Sequence, residues 1–132
     1  MNSKQWINDR RKFKRLRVNI TLAYTVESPP EVSILYRGKE IEATMLSICE
    51  GGIGLLSKYN IPARSMIVVR FSLFRTDKQG FIASSSPLEI VCRVCYSVAV
   101  EDGQYQIGVA FREVKDIAKS EIITFMEFAL HM

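Results

Sequence analysis

Short stretches in which apolar and polar residues alternate, each ended by a turn, dominate the chain as far as Phe111. Leu16–Val26 shows the pattern most clearly, because every second residue from Leu16 to Leu22 is apolar. A period of two places the apolar side chains on one face of a β-strand. We predict further strands over Val32–Tyr36, Glu40–Ile48, Ile53–Leu56, Met66–Phe74, Leu88–Val100 and Gln104–Phe111.

Turn-forming residues separate these strands, and the period changes near the end of the chain. Glu50-Gly51-Gly52 and Glu101-Asp102-Gly103 predict tight turns, and the serine-rich segment Arg75–Pro87 predicts a long hairpin loop. From Asp116 onward the apolar residues recur at helical spacing. The fold expected is therefore mainly β: a six-stranded antiparallel (split) β-barrel with a C-terminal α-helix.

The length of 132 residues favours one domain. We expect a flexible N-terminal arm over residues 1–9 and the barrel domain with its helix over residues 10–132. The apolar runs are too short to span a membrane, and no apolar stretch of the kind found in a secretory signal follows the basic N-terminus. The expected location is the cytoplasm.

Positive charge is concentrated at the start of the chain. Residues 1–17 contain seven lysines and arginines against one aspartate, a balance of +6, whereas the whole chain carries +4 and the remainder therefore −2. Arg10–Arg15 alone places five cations in six residues. A charge distribution of this kind indicates a local anion-binding segment rather than a basic surface over the whole protein. Taken alone, the cluster is more typical of a solvated surface or of non-specific contact with nucleic acid or anionic membrane.

The three cysteines do not predict a metal site or a disulfide framework. Cys92 and Cys95 have the spacing of a metal knuckle, but they lie within a predicted strand. Residues three apart in a strand point to opposite faces, so their sulfurs could not share an ion. Besides Cys49, the remaining candidate ligand is the single histidine, His131. We expect buried or half-buried structural thiols, no metal and no cofactor.

Two motifs in this order make the chain resemble the PilZ domain family. The family's first motif, two arginines separated by three residues and often preceded by another arginine, matches Arg10, Arg11 and Arg15. Its second motif, Asp or Asn, any residue, Ser, any two residues and Gly, aligns with residues 47–52. Here the first position is Ser47, the serine position is Cys49 and the glycine is Gly52. The segment Ile107-Gly108-Val109-Ala110-Phe111 is similar to the family's late signature.

The resemblance implies a barrel that binds the bacterial second messenger cyclic di-GMP. Arg11 and Arg15 would be the main ligand residues and Arg10 an auxiliary contact, because a guanidinium binds phosphate in two-pronged fashion and stacks on bases. Ser47, Cys49 and Gly52 would form the second half of the site. A serine and a cysteine there hydrogen-bond more weakly than the family's usual residues.

Two functions from different classes follow from these residues. The first is a receptor, monomeric or homodimeric, whose arm changes conformation on binding cyclic di-GMP and which signals to an unknown protein partner. The alternative is a degenerate domain that binds no nucleotide and acts as an interaction adaptor in motility or type IV pilus machinery. An enzyme is not expected, because no nucleophile–base pair is present. No specific nucleic-acid target or membrane span is expected either.

Overall fold

A computed structural model of the protein describes residues 15–76 and 78–130. The described part contains eight strands and two α-helices. The strands are β1 Leu16–Ser28, β2 Ile41–Cys49, β3 Gly52–Ser57, β4 Met66–Phe71, β5 Phe74–Thr76, β6 Ile82–Ser84, β7 Leu88–Ala99 and β8 Tyr105–Glu113. The helices are α1 Pro30–Tyr36 and α2 Asp116–Leu130.

Six of these strands form a closed antiparallel barrel in the order β1-β2-β3-β8-β7-β4. The ring closes because β1 pairs with β4 as well as with β2. The predicted six-stranded antiparallel barrel with a C-terminal helix is therefore confirmed. β5 and β6 form a separate two-stranded hairpin, which begins at Phe74 and continues into the segment for which we predicted a long hairpin loop.

The barrel interior is filled by the apolar face that the alternation predicts. Along β1, Leu22, Tyr24 and Val26 are each at most 2% exposed. The Tyr24 hydroxyl shares a 2.6 Å hydrogen bond with the Ser57 hydroxyl, which supplies the polar end of a buried aromatic side chain with a partner. Helix α2 adds to this core through Ala118, Ile122 and Met126, which are spaced by four residues and so lie on one helix face.

Two of the predicted strands differ from the structure. Val32–Tyr36 is not a strand, because Pro30 begins helix α1 there and the Pro29 carbonyl accepts hydrogen bonds from the amides of Val32 and Ser33. Proline favours the first turn of a helix, and this preference outweighs a short alternating pattern. The strand predicted over Met66–Phe74 is interrupted, since β4 ends at Phe71 and β5 begins at Phe74.

Candidate functional site

Arg15, the residue before β1, and Ser47 of β2 lie close together on the outer face of the barrel. A β-carbon added to Gly54 would lie 2.8 Å from the Ser47 Oγ and 3.5 Å from the Arg15 Nη2. The guanidinium and the hydroxyl therefore adjoin the same small volume above Gly54. This arrangement presents hydrogen-bond donors of the kind that bind phosphate and the polar edges of bases.

An irregularity in β2 turns Ser47 toward this volume. Met45 and Ile48 are both fully buried although they are three residues apart. The register with β3 shifts between Met45 and Ser47, as expected where a strand accommodates one extra residue. After this shift Ile48 points into the core, and Ser47 therefore points outward.

Cross-strand pairing extends the site from β2 to β8. Ser47 is opposite Gly54, and Gly54 is opposite Gly108. Ile53 and Leu55 fill the core with at most 1% exposure, so Gly54 between them faces outward. Gly54 and Gly108 are nevertheless buried, because the Arg15 and Ser47 side chains lie over Gly54 and the Tyr96 ring lies over Gly108. The two glycines thus let these side chains rest directly on the backbone of the sheet.

Gly52 and Cys49 lie next to this row but differ from it in environment. Cys49 is opposite Gly52 at the end of the β2–β3 hairpin and is half-buried. A β-carbon on Gly52 would overlap the carbonyl oxygen of Val109. The close approach of β8 therefore explains why residue 52 is a glycine, and no ligand is needed for this explanation.

The predicted site residues divide into three groups. Arg10 and Arg11 lie outside the described residues. Arg15 and Ser47 are brought together, and Cys49 and Gly52 form the neighbouring row. Sequence reasoning missed Gly54 as a site residue, although a glycine in the interior of an apolar strand signals close approach of a ligand or backbone.

Of the other two cysteines, Cys92 is buried as predicted, whereas the prediction of a buried or half-buried thiol is wrong for Cys95. Cys92 is fully buried and Cys95 is exposed, so their side chains lie on opposite faces of β7. Burial raises the pKa of the Cys92 thiol to about 12. Within residues 15–76 and 78–130, no three His, Cys, Asp or Glu side chains are grouped so that they could hold a metal. None of the helices in that part of the chain is long and apolar enough to cross a membrane.

Two cavities lie away from Arg15 and Ser47. One, of about 300 Å³, separates the Glu50–Gly51 turn from α2, and the other, of about 390 Å³, lies beside Tyr36 and Tyr59. Neither is lined by Arg15 or Ser47. The candidate site therefore lies apart from both cavities, on the outer wall of the barrel, and its surface around Arg15, Ser47, Gly54 and Gly108 is here called the platform.

The PilZ domain family model matches residues 9–128 of the chain. A sequence comparison with curated proteins finds no significant match. Among solved structures, the chain resembles the Bacillus subtilis inhibitor of motility MotI/DgrA, with a TM-score of 0.64 and 12% identity over 93% of this chain and 52% of that protein.

Two further structures resemble the chain and were solved with cyclic di-GMP. The K. pneumonia MrkH complex gives a TM-score of 0.64 at 14% identity, covering 93% of this chain and 53% of MrkH. The PilZ domain of Escherichia coli YcgR gives 0.57 at 12% identity, covering 93% of this chain and 94% of that domain. The chain thus spans about half the length of MotI/DgrA and MrkH. At these identities the likeness shows the shared fold.

Proposed function

The chain belongs to the PilZ domain family, and from this premise we propose that it is a cytoplasmic receptor for cyclic di-GMP that signals to a protein partner. The observation that carries the proposal is the convergence of the Arg15 guanidinium and the Ser47 hydroxyl above Gly54. These residues come from the two motifs by which the family is recognised, and they meet on one outer face of the barrel.

In this proposal Arg15 binds phosphate through its two-pronged guanidinium while Ser47 hydrogen-bonds a guanine or phosphate edge. Arg11 is the second main ligand arginine, and Arg10 adds an auxiliary contact. In the proposed mechanism the residues before Leu16 close over the bound nucleotide. That closure changes the surface offered to a partner, so ligand binding is converted into a signal.

The test is isothermal titration of the purified protein with cyclic di-GMP at physiological salt, with GTP and cyclic AMP as control ligands. We expect saturable binding of cyclic di-GMP alone. Arg15→Ala should lower the affinity at least about tenfold, since it removes hydrogen bonds to a charged group worth about 1.5–3 kcal/mol. Arg15→Lys keeps the positive charge but cannot form the two-pronged hydrogen bonds of a guanidinium, so it should recover only part of the lost affinity.

A matched control is Arg70→Ala, because Arg70 is an exposed arginine on β4. This variant should bind as the wild type does. Equal affinity of Arg15→Ala and wild type would overturn the proposed role of Arg15. Absence of heat with the wild-type protein at tens of micromolar ligand, roughly −6 kcal/mol or weaker, would overturn the receptor function.

The second candidate is the nucleotide-free adaptor in motility or type IV pilus machinery. The presence of Ser47 and Cys49 at the two polar positions of the second motif favours it. It predicts that cyclic di-GMP produces no heat, and that Ser47→Asp combined with Cys49→Ser restores binding. The same titration therefore separates the two functions.

A further inference from the structure

Tyr96 lies across the end of the platform opposite Arg15. It is opposite Gly108 in the β7–β8 ladder, and a β-carbon on Gly108 would overlap its ring. The ring therefore rests directly on the backbone of β8. Its side chain remains 38% exposed, so part of the ring is available to a ligand.

The cross-strand register places Tyr96 in the same row as the proposed ligand residues. The row runs from Ser47 through Gly54 and Gly108 to Tyr96. Ser47 and Tyr96 thus border two glycines from opposite sides. Adjacent strands are about 4.8 Å apart, so the backbones of the two residues are about 14 Å apart. The Tyr96 ring spans part of this distance because it lies over Gly108, next to the Arg15 and Ser47 side chains over Gly54.

The next row on the same face supplies a positive charge. Arg93 is opposite Ala110, two residues beyond Gly108. Cys92 and Val94 on either side of Arg93 are buried, with at most 1% exposure, so the exposed Arg93 points outward. An aromatic ring and a guanidinium on β7 therefore face the arginine and serine at the other side of the platform.

Building on the proposed function, we propose that Tyr96 contacts a base of cyclic di-GMP and forms the second side of its site. The ligand has two flat purines and two phosphates, whereas Arg15 and Ser47 supply charge, hydrogen bonds and one guanidinium face but no aromatic ring. A tyrosine ring provides the apolar π-face on which a base stacks. Tyr96 is thus a residue that positions the base, and neither motif of the family includes it.

A purely structural role for Tyr96 makes a different prediction. An aromatic side chain that covers a strand glycine also shields the backbone, and this stabilises the sheet. Tyr96→Leu keeps an apolar cover over Gly108 but removes the π-face, whereas Tyr96→Phe keeps both. Tyr59→Leu is the matched control, because Tyr59 is 46% exposed and lines the cavity beside Tyr36.

The experiment measures the affinity for cyclic di-GMP by titration and the melting temperature of each variant. We expect Tyr96→Leu to bind about fivefold or more weakly, the lower end of the effect of removing an aromatic that stacks on a base. Tyr96→Phe and Tyr59→Leu should keep wild-type affinity. In NMR spectra of ring-labelled tyrosine, cyclic di-GMP should shift the Tyr96 signals, assigned as those missing in Tyr96→Phe, and leave those of Tyr59 in place.

The outcomes separate this inference from the proposed function. If the wild-type protein binds cyclic di-GMP, unchanged affinity in Tyr96→Leu would overturn the role of Tyr96 but not the receptor function. Unshifted Tyr96 signals in the bound wild-type protein would have the same meaning. A lower melting temperature of Tyr96→Leu at full affinity would assign Tyr96 to stabilising the sheet alone. Absence of binding by the wild-type protein would overturn both proposals.

Discussion

Gly52 and Gly54, two residues apart in β3, should respond in opposite ways to the same added methyl group. In Gly52→Ala the new carbon would overlap the Val109 carbonyl oxygen and lie 3.1 Å from the Ala110 Cα. Both obstacles are backbone, so β3 and β8 must move apart. Inserting a carbon into well-packed surroundings typically costs about 1–3 kcal/mol, and a backbone obstacle places Gly52→Ala at the upper end. For a chain of this length, about 3 kcal/mol lowers the melting temperature by roughly 10 °C.

In Gly54→Ala the new carbon meets the ends of two side chains instead. The Ser47 Oγ at 2.8 Å turns aside by rotation about one bond, and the Arg15 Nη2 at 3.5 Å is in ordinary contact. Although Gly54 is buried, only these side-chain ends must move, so stability should stay within about 0.5 kcal/mol of wild type. The methyl group nevertheless occupies the volume proposed for the ligand, so the affinity for cyclic di-GMP should fall about tenfold, or about 1.4 kcal/mol.

Urea unfolding and isothermal titration of both variants test this contrast. Each variant is the control for the other, since the substitution, the strand and the face of the sheet are the same. Wild-type stability in Gly52→Ala would refute the packing role of Gly52. Wild-type affinity in Gly54→Ala, measured on a protein that binds cyclic di-GMP, would show that the ligand does not occupy the volume between Arg15 and Ser47.

Three further predictions concern the motif and the core. Ser47→Asp should tighten cyclic di-GMP binding about tenfold by titration, because a hydrogen bond accepted by a charged carboxylate replaces one to a neutral hydroxyl; weaker binding would contradict this. Burial raises the pKa values of Cys92 and Tyr24 to about 12. Because the unfolded groups lose their protons first, stability to urea should be unaffected below about pH 9 and fall toward pH 12, less steeply in Cys92→Ala. Tyr24→Phe should cost about 0.5–1.5 kcal/mol of unfolding free energy at pH 7, since the 2.6 Å hydrogen bond to Ser57 is lost while the Ser57 Oγ still accepts one from the Tyr59 amide.

The barrel could be predicted from the sequence because each long strand buries one face. In β1 and β7 the alternation continues for three or more buried residues, and turn residues mark where a strand ends. Helix α1 could not be predicted in this way. Its single buried residue is Val32, while Ile34 is 66% and Leu35 72% exposed, so burial does not impose a helical period on this segment.

Only half of the candidate site could be predicted from the sequence, because the other half depends on the register between strands. Arg15 and Ser47 belong to motifs that can be recognised in the sequence itself. Gly54, Gly108 and Tyr96 become neighbours only through pairing, and the ladders shift between Met45 and Ser47 and again between Val94 and Tyr96. A local period does not encode such shifts, because they depend on the partner strand.

The departure at position 47 also changes the electrostatics of the site. An acidic side chain there would lie close to the Arg15 guanidinium and neutralise part of its charge, whereas Ser47 carries none. An exposed ion pair contributes only about 0–1 kcal/mol, less than a charged hydrogen bond to a guanine edge, which is why Ser47→Asp is expected to gain affinity. With serine, a larger share of the binding energy rests on attraction between arginine and phosphate. The affinity of the natural chain for cyclic di-GMP should therefore decline more steeply with salt than that of Ser47→Asp, because salt screens the attraction between arginine and phosphate on which the natural chain depends more.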